Sequence, residues 1–286
     1  MSNVIAVVNH KGGSGKTTTA INLAAGLIRY SDVTSSCLLI DMDPHGCATS
    51  TLLGKLDGDP PARSVFDVLR RAITPHDGIT TTVYDEEIHL LPANPSLESM
   101  AKTQINDRLE KVVSALAPNY GWIIIDTPPN LGVLTQNALV AANYVLVPTP
   151  CTGLAIPALR QLTTMISRIK ERQNTRLQII GVLLTLKDGR TPLLKNVRRE
   201  LGQIFGKQDI FKTIITNNIK IEEAPAAFQS IFAYDSGCLG ASLYRDWIKK
   251  EFLRRHAKLE KELLEQREAA AALQLEALQG EYTSEE

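Results

Sequence analysis

Lys11-Gly12-Gly13-Ser14-Gly15-Lys16-Thr17-Thr18 lies between the apolar run Val4-Ile5-Ala6-Val7-Val8 and the stretch Ala20-Ile21-Asn22-Leu23-Ala24-Ala25-Gly26-Leu27-Ile28. The β-branched run reads as a buried strand and the Ala/Leu-rich stretch as a helix, so the glycines fall in a strand-to-helix turn. Such a turn suits phosphate. Glycines let successive backbone N–H groups approach phosphate oxygens and point at them, and the helix N-terminus adds positive potential. Lys16 contributes a mobile charge and the Thr17 hydroxyl a ligand for Mg²⁺. Gly12, Gly13, Ser14, Gly15, Lys16, Thr17 and Thr18 are therefore the candidate nucleotide-binding residues.

Two further strand exits carry carboxylates. Cys37-Leu38-Leu39-Ile40-Asp41-Met42-Asp43-Pro44-His45-Gly46 is an apolar strand ending in two aspartates and a Pro/Gly turn. Asp41 and Asp43 share one side of an extended backbone, because side chains alternate with period two. Trp122-Ile123-Ile124-Ile125-Asp126-Thr127-Pro128-Pro129-Asn130-Leu131-Gly132 is apolar throughout its first four residues, the mark of a strand buried on both faces of a parallel sheet. Asp126 then emerges at a carboxyl edge, where such sheets bind ligands. A lone carboxylate there needs a cation or donors, and Mg²⁺ reached through water supplies one.

The general P-loop pattern places glycine where this chain has His10, and this chain has instead a second lysine, Lys11, ahead of a Gly-Gly pair. Lys11 to Thr18, followed in order by Asp43-Pro44 and Asp126-Thr127-Pro128-Pro129, resembles the deviant Walker A box and the two switches of the ParA/MinD superfamily. The exits of the last two strands are similar to the ParA/Soj branch, over about residues 3 to 250. The resemblance implies an ATPase that uses Mg²⁺. In it Lys16 and Lys11 are catalytic, Lys11 reaching across an ATP-bound homodimer to the partner's nucleotide. Asp43 positions the attacking water, Asp41 supports the metal shell with Thr17 and Asp126, and Asn218 lies near the adenine.

The resemblance also implies slow hydrolysis stimulated by a ParB-type adaptor, DNA bound without sequence preference, and partition of a plasmid, a chromosome or another cargo. A cytoplasmic, nucleoid-associated protein follows from that. Arg190 and Lys220 match basic positions on the family's DNA face, although ordinary solvated loop charge explains them equally. This chain departs from the family at His45 and Cys47, where glutamine and asparagine are usual, and at Thr216-Asn217, where Pro-Arg is frequent.

Bulk properties narrow the alternatives. With 286 residues the chain can bury a sizeable core without staples. Its 31 basic and 31 acidic residues leave no global field, so binding to nucleic acid has to come from a local patch. Cys37, Cys47, Cys151 and Cys238 form no C-x-x-C pair, which argues against a disulfide framework, a metal knuckle or an iron-sulfur carrier. No apolar run approaches the ~20 residues of a membrane span.

The remaining pattern predicts strands alternating with helices, hence an α/β, doubly wound, mainly parallel sheet with helices on both faces. Ser64 to Ala72 reads as a short helix with Ser64 and Asp67 at capping spacing, and Thr80 to Tyr84 as an edge strand. Residues 1–250 read as the ATPase domain and 251–286 as a charged helical tail. Trp247 to Gln279 holds no Gly or Pro and predicts one helix that Gly280 stops. Its first part is basic, with Lys249, Lys250, Arg254 and Arg255, and the rest acidic. It fits a solvated helix, a DNA-facing end or a partner-binding helix; a membrane-binding helix fits poorly, because the segment ends acidic. A metabolic ATP-dependent ligase of the dethiobiotin-synthetase type shares the fold, but no second catalytic constellation is visible for it.

Overall fold

The computed structural model describes residues 2–31, 36–54, 60–82, 88–100, 107–186 and 193–283. Its strands are β1 (Asn3–Val7), β2 (Cys37–Asp41), β3 (Thr80–Thr81), β4 (Ile88–Leu91), β5 (Trp122–Asp126), β6 (Tyr144–Pro150), β7 (Gln178–Leu186) and β8 (Ile210–Thr216). The α-helices are α1 (Lys16–Tyr30), α2 (Cys47–Leu53), α3 (Val65–Leu69), α4 (Leu97–Met100), α5 (Arg108–Leu116), α6 (Val133–Ala141), α7 (Ile156–Arg172), α8 (Leu193–Ile204), α9 (Ile219–Ala226), α10 (Ile231–Tyr234), α11 (Leu239–Trp247) and α12 (Leu253–Thr283).

The strands form one sheet in the order β3-β4-β2-β5-β1-β6-β7-β8. Every pair is parallel except the edge pair, where β3 runs antiparallel to β4. The central strands β2 and β5 are buried at every residue, as their unbroken apolar runs require once both faces are covered. One face packs against α3 to α8 and the other against α1, α2 and α9 to α12. This is the doubly wound α/β architecture expected from the sequence. In it the carboxyl ends of β1, β2 and β5 meet at one edge, with β1 between β5 and β6 at the point where chain order reverses.

Several local expectations shift. The Ser64 hydroxyl bonds the Asp67 carboxylate at 2.7 Å, but the helix ends at Leu69 and Arg71 takes a left-handed φ of 62°. The expected edge strand is present at Thr80 and Thr81, and Val83 and Tyr84 lie outside the described residues. The C-terminal helix starts earlier than Trp247: α11 passes through a π-helical turn, Ile248–Phe252, into α12. Gly280 does not stop it, and the helix runs to Thr283. A glycine inside a helix costs only about 1 kcal/mol, which strong helix formers on both sides can offset.

Packing also crosses residue 250. Phe252 and Leu259 are buried, and the His256 ring lies 4.7 Å from that of Trp122 and 5.2 Å from that of Tyr144. Its Nε2 meets Asn3 Oδ1 at 2.9 Å, and the Tyr144 hydroxyl donates to Glu260. The start of α12 therefore packs as part of the body that holds the sheet.

The C-terminal elements grip the helix that follows the glycine turn. Thr19 and Tyr244 hydroxyls lie 3.4 Å apart, and the Asn22 side chain accepts from Ile231 N–H at 2.8 Å and donates to Thr18 O at 2.8 Å. Gly26 lets α1 approach so closely that a Cβ there would overlap Ile248 and crowd Phe232. Gly26→Val should therefore destabilise the fold by about 1–3 kcal/mol, read as a lower denaturant midpoint with an unchanged slope.

Candidate nucleotide site

The turn between β1 and α1 is built by backbone conformation. Gly13 and Gly15 hold left-handed φ angles of 67° and 82°, which other residues adopt only under strain. Asn9 sets the entry: its buried side chain donates to Pro148 O at 2.7 Å and accepts from Lys11 N–H at 2.9 Å. No acidic residue stands in the first turn of α1, so the positive end of the helix is left uncompensated. Gly12 to Thr18, Ile21, Asp43, Cys47, Thr51, Pro129 and Pro225 line a cavity of about 310 Å³.

The side chains in this cavity fit a phosphate-bound metal. Lys16 is 6% exposed and its Nζ lies 3.4 Å from Lys11 O; burial lowers its pKa, while Asp126 and Asp43 act in the opposite direction. The Ser14 hydroxyl is buried with no partner, which leaves a polar atom in the cradle to be satisfied by a ligand. Thr17 Oγ1 donates to Asp126 Oδ2 at 2.7 Å. Among the described residues no three His, Cys, Asp or Glu side chains cluster as metal ligands. That suits Mg²⁺, which keeps several waters and takes few protein ligands beside substrate phosphates.

Sheet register places the carboxylates. Asp41 and Asp126 are direct partners in the β2–β5 ladder, and both are fully buried. Burial, assisted by mutual repulsion, pushes Asp126 up to about 8; burial pushes Asp41 up to about 6 against the bonds from Thr49 and Asp43 N–H. Asp41 has both oxygens engaged by protein donors: Oδ2 accepts from Thr49 N–H at 2.9 Å and Thr49 Oγ1 at 2.8 Å, and Oδ1 accepts from Asp43 N–H at 3.0 Å. Thr49 Oγ1 in turn accepts from Ala93 N–H at 2.8 Å, tying the first aspartate loop to the exit of β4. Sequence reasoning missed Thr49, because a threonine in a helical stretch gives no signal that it will face an aspartate eight residues earlier.

Asp43 is 8% exposed and lines the cavity; its Oδ1 accepts from His45 N–H at 3.0 Å and meets His45 Nδ1 at 2.9 Å. Asp43 raises the His45 pKa through that bond. The Lys11 side chain forms no ion pair among the described residues and is only partly exposed. Asn218 caps α9, its Oδ1 accepting from Lys220 N–H at 2.9 Å, and Pro225 of the same helix reaches the cavity wall.

The expected basic residues do not assemble into one patch. Lys220 sits at the carboxyl edge after β8, paired with Glu223 at 2.8 Å and 5.4 Å above the Tyr234 ring. Lys249 lies over Tyr30 at the opposite end of α1, Lys250 pairs with Asp246 at 3.0 Å, and Arg254 is exposed. Arg255 is withdrawn from solvent into an ion pair with Asp209 and does not belong to an open basic face. Arg190 lies outside the described residues.

These features define a P-loop nucleotide-binding fold, and comparison with known proteins narrows the class. Residues 2–179 match the model of the family described as AAA domain. The chain is 38% identical to the sporulation initiation inhibitor protein Soj of Bacillus subtilis (strain 168), over 87% of this chain and 98% of Soj. It is 36% identical to the chromosome partitioning protein ParA of Myxococcus xanthus, over 87% of this chain and 88% of that protein. Among solved structures, it is similar to cobyrinic acid a,c-diamide synthase of Mycobacterium smegmatis with a bound ATP analog and magnesium. The TM-score is 0.75 and the identity 32%, over 90% of this chain and 96% of that one. A putative plasmid partition protein of Borrelia burgdorferi bound to AMPPNP shares the fold, with TM-score 0.72 and 23% identity over 90% and 99% of the two chains. The chain belongs to the ParA/Soj family of partition ATPases.

The paired carboxylates give the metal-free protein a specific pH dependence. Asp126 and Asp41 have folded pKa values of about 8 and about 6, above their unfolded value, so the folded state holds more protons between pH 4 and 8. Stability therefore falls as pH rises through that window. Thermal unfolding in a chelator should show the melting temperature dropping by several degrees from pH 5 to pH 8, and Asp126→Asn should flatten the curve.

Proposed function

We propose that this partition ATPase forms a homodimer around ATP, binds DNA without sequence preference in that state, and is switched off when a ParB-type partner stimulates hydrolysis. The observation that carries this reading is Lys11, a lysine at the mouth of a cradle already served by the buried Lys16, with no ion-pair partner of its own among the described residues. Similarity to Soj and ParA supports it.

In this reading Lys16 and the loop amides hold the β- and γ-phosphates of the same subunit. Thr17 and Asp126, now hydrogen-bonded to each other, would hold Mg²⁺. Mg²⁺ supplies charge neutralisation on the transferred phosphoryl group. Asp41 acts through Thr49 and Asp43 N–H to fix the loop, and Asp43 orients the attacking water. Lys11 adds its charge from the partner subunit, as an arginine finger does. Asn218 sits close to the base. Lys220, Lys249, Lys250, Arg254 and the Arg190 loop supply separate contacts to phosphates of DNA. A cytoplasmic, nucleoid-associated location follows from DNA binding, and among the described residues no helix is long and apolar enough to cross a membrane.

The second reading, a metabolic ATP-dependent synthase, is favoured by the likeness to the synthase from Mycobacterium smegmatis. It requires an acceptor pocket beside the cradle, and the cavity there is walled by the glycine loop, the two switch segments, Ile21 and Pro225.

The two lysines separate the readings. Lys16→Ala should lose nucleotide binding. Lys11→Ala should keep ADP affinity in calorimetry, yet stay monomeric with ATP and hydrolyse it about 10³-fold more slowly. A Lys11→Ala protein with wild-type turnover would favour the synthase reading. In an Asp43→Ala protein held with ATP, Arg254→Glu should lower the slope of log K for DNA against log salt by about one.

A further inference from the structure

We infer that His45 is a positioning residue for ATP hydrolysis, holding Asp43 so that one carboxylate oxygen is occupied and the other is left to face the reacting water. The inference rests on the reading of Asp43 given above. Asp43-Pro44-His45-Gly46 is a closed turn: Gly46 N–H donates to Asp43 O at 2.9 Å, and Gly46 takes a left-handed φ of 62°. Pro44 fixes the backbone inside the turn. The turn delivers two donors of the same residue to one atom, His45 N–H at 3.0 Å and ring Nδ1 at 2.9 Å from Asp43 Oδ1. Paired with a carboxylate oxygen, which accepts, the ring Nδ1 is the donor.

The imidazole has no packing task to explain its place, since its side chain is 72% exposed. What it touches is Asp43, and the charge of Glu98 in α4 also acts on it. Lys16, Asp41, Cys47 and Asp126 are the other ionisable groups around Asp43. Asp41 fixes the Asp43 backbone through N–H, and His45 fixes the carboxylate itself. With Oδ1 saturated, the carboxylate cannot exchange its oxygens by rotation without breaking both bonds. Preorganisation of this kind acts on the chemical step and leaves nucleotide affinity alone, because the phosphates are held by the loop and Lys16.

The test is steady-state ATP hydrolysis by the full chain, with ADP affinity measured in parallel as the check that each variant keeps its site. His45→Ala should lower kcat about tenfold or more while KM for ATP and ADP affinity stay within about twofold. His45→Asn should recover most of kcat, because its Nδ2 stands where the ring Nδ1 stood. Equal kcat for His45→Ala and wild type, with Asp43→Ala inactive, would overturn the role of His45 alone. A loss in His45→Ala that appears in KM or ADP affinity, or that His45→Asn does not restore, would assign His45 to loop structure and overturn the inference. Wild-type turnover in Asp43→Ala would remove the reading of Asp43 and the inference with it.

Discussion

Two carboxylates stand side by side at the carboxyl edge of the sheet, shielded from solvent by the surrounding protein. Asp41 and Asp126 end adjacent strands in register, each fully buried. Neighbouring strands are about 4.8 Å apart, so two buried negative charges at that spacing repel strongly, and burial penalises each separately. Much of the site can be understood as a response to that constraint. Thr17, Thr49, the Asp43 and Thr127 N–H groups and Lys16 surround the pair with donors and one cation.

The donors divide the pair's work. Asp41 has both oxygens engaged by protein groups, so it serves the loop that carries Asp43 and His45. Asp126 has Oδ2 on a threonine hydroxyl that can turn away, so it is the carboxylate able to answer a cation. The two strand exits thus differ in how their aspartates are engaged, although the sequence presents both as an apolar run ending in aspartate. The grip of α10 and α11 on α1 through Asn22, Thr19 and Tyr244 holds the helix whose first turn completes this site.

The order of elements, the two-faced sheet and the cradle were legible in the sequence, because unbroken apolar runs, glycine spacing and strand-exit aspartates are local signals. The contact of Thr49 with Asp41 was not legible, since only the fold brings the two together. The fate of Arg255 was equally hidden: a basic run on a helix looks solvated until Asp209, from the entrance to β8, is packed against it. Gly280 failed as a stop signal because a left-handed cap is one option for glycine and helix continuation another. The body's C-terminal limit was misplaced because Phe252, His256 and Leu259 sit among charges that masked their shared face.

The central claim is that burial side by side favours a proton on the carboxylate pair, which a metal at the site would displace, as metal binding generally releases protons. Burial, with Asp41 beside it, raises the Asp126 pKa well above the usual carboxylate range. Calorimetric titration of Mg²⁺-ADP into chelator-treated protein, repeated in buffers of different ionisation enthalpy, counts the protons released. Net release of a substantial fraction of one proton at pH 7, abolished in Asp126→Asn, is the expected result. Binding with no proton release in the wild-type chain would contradict the account.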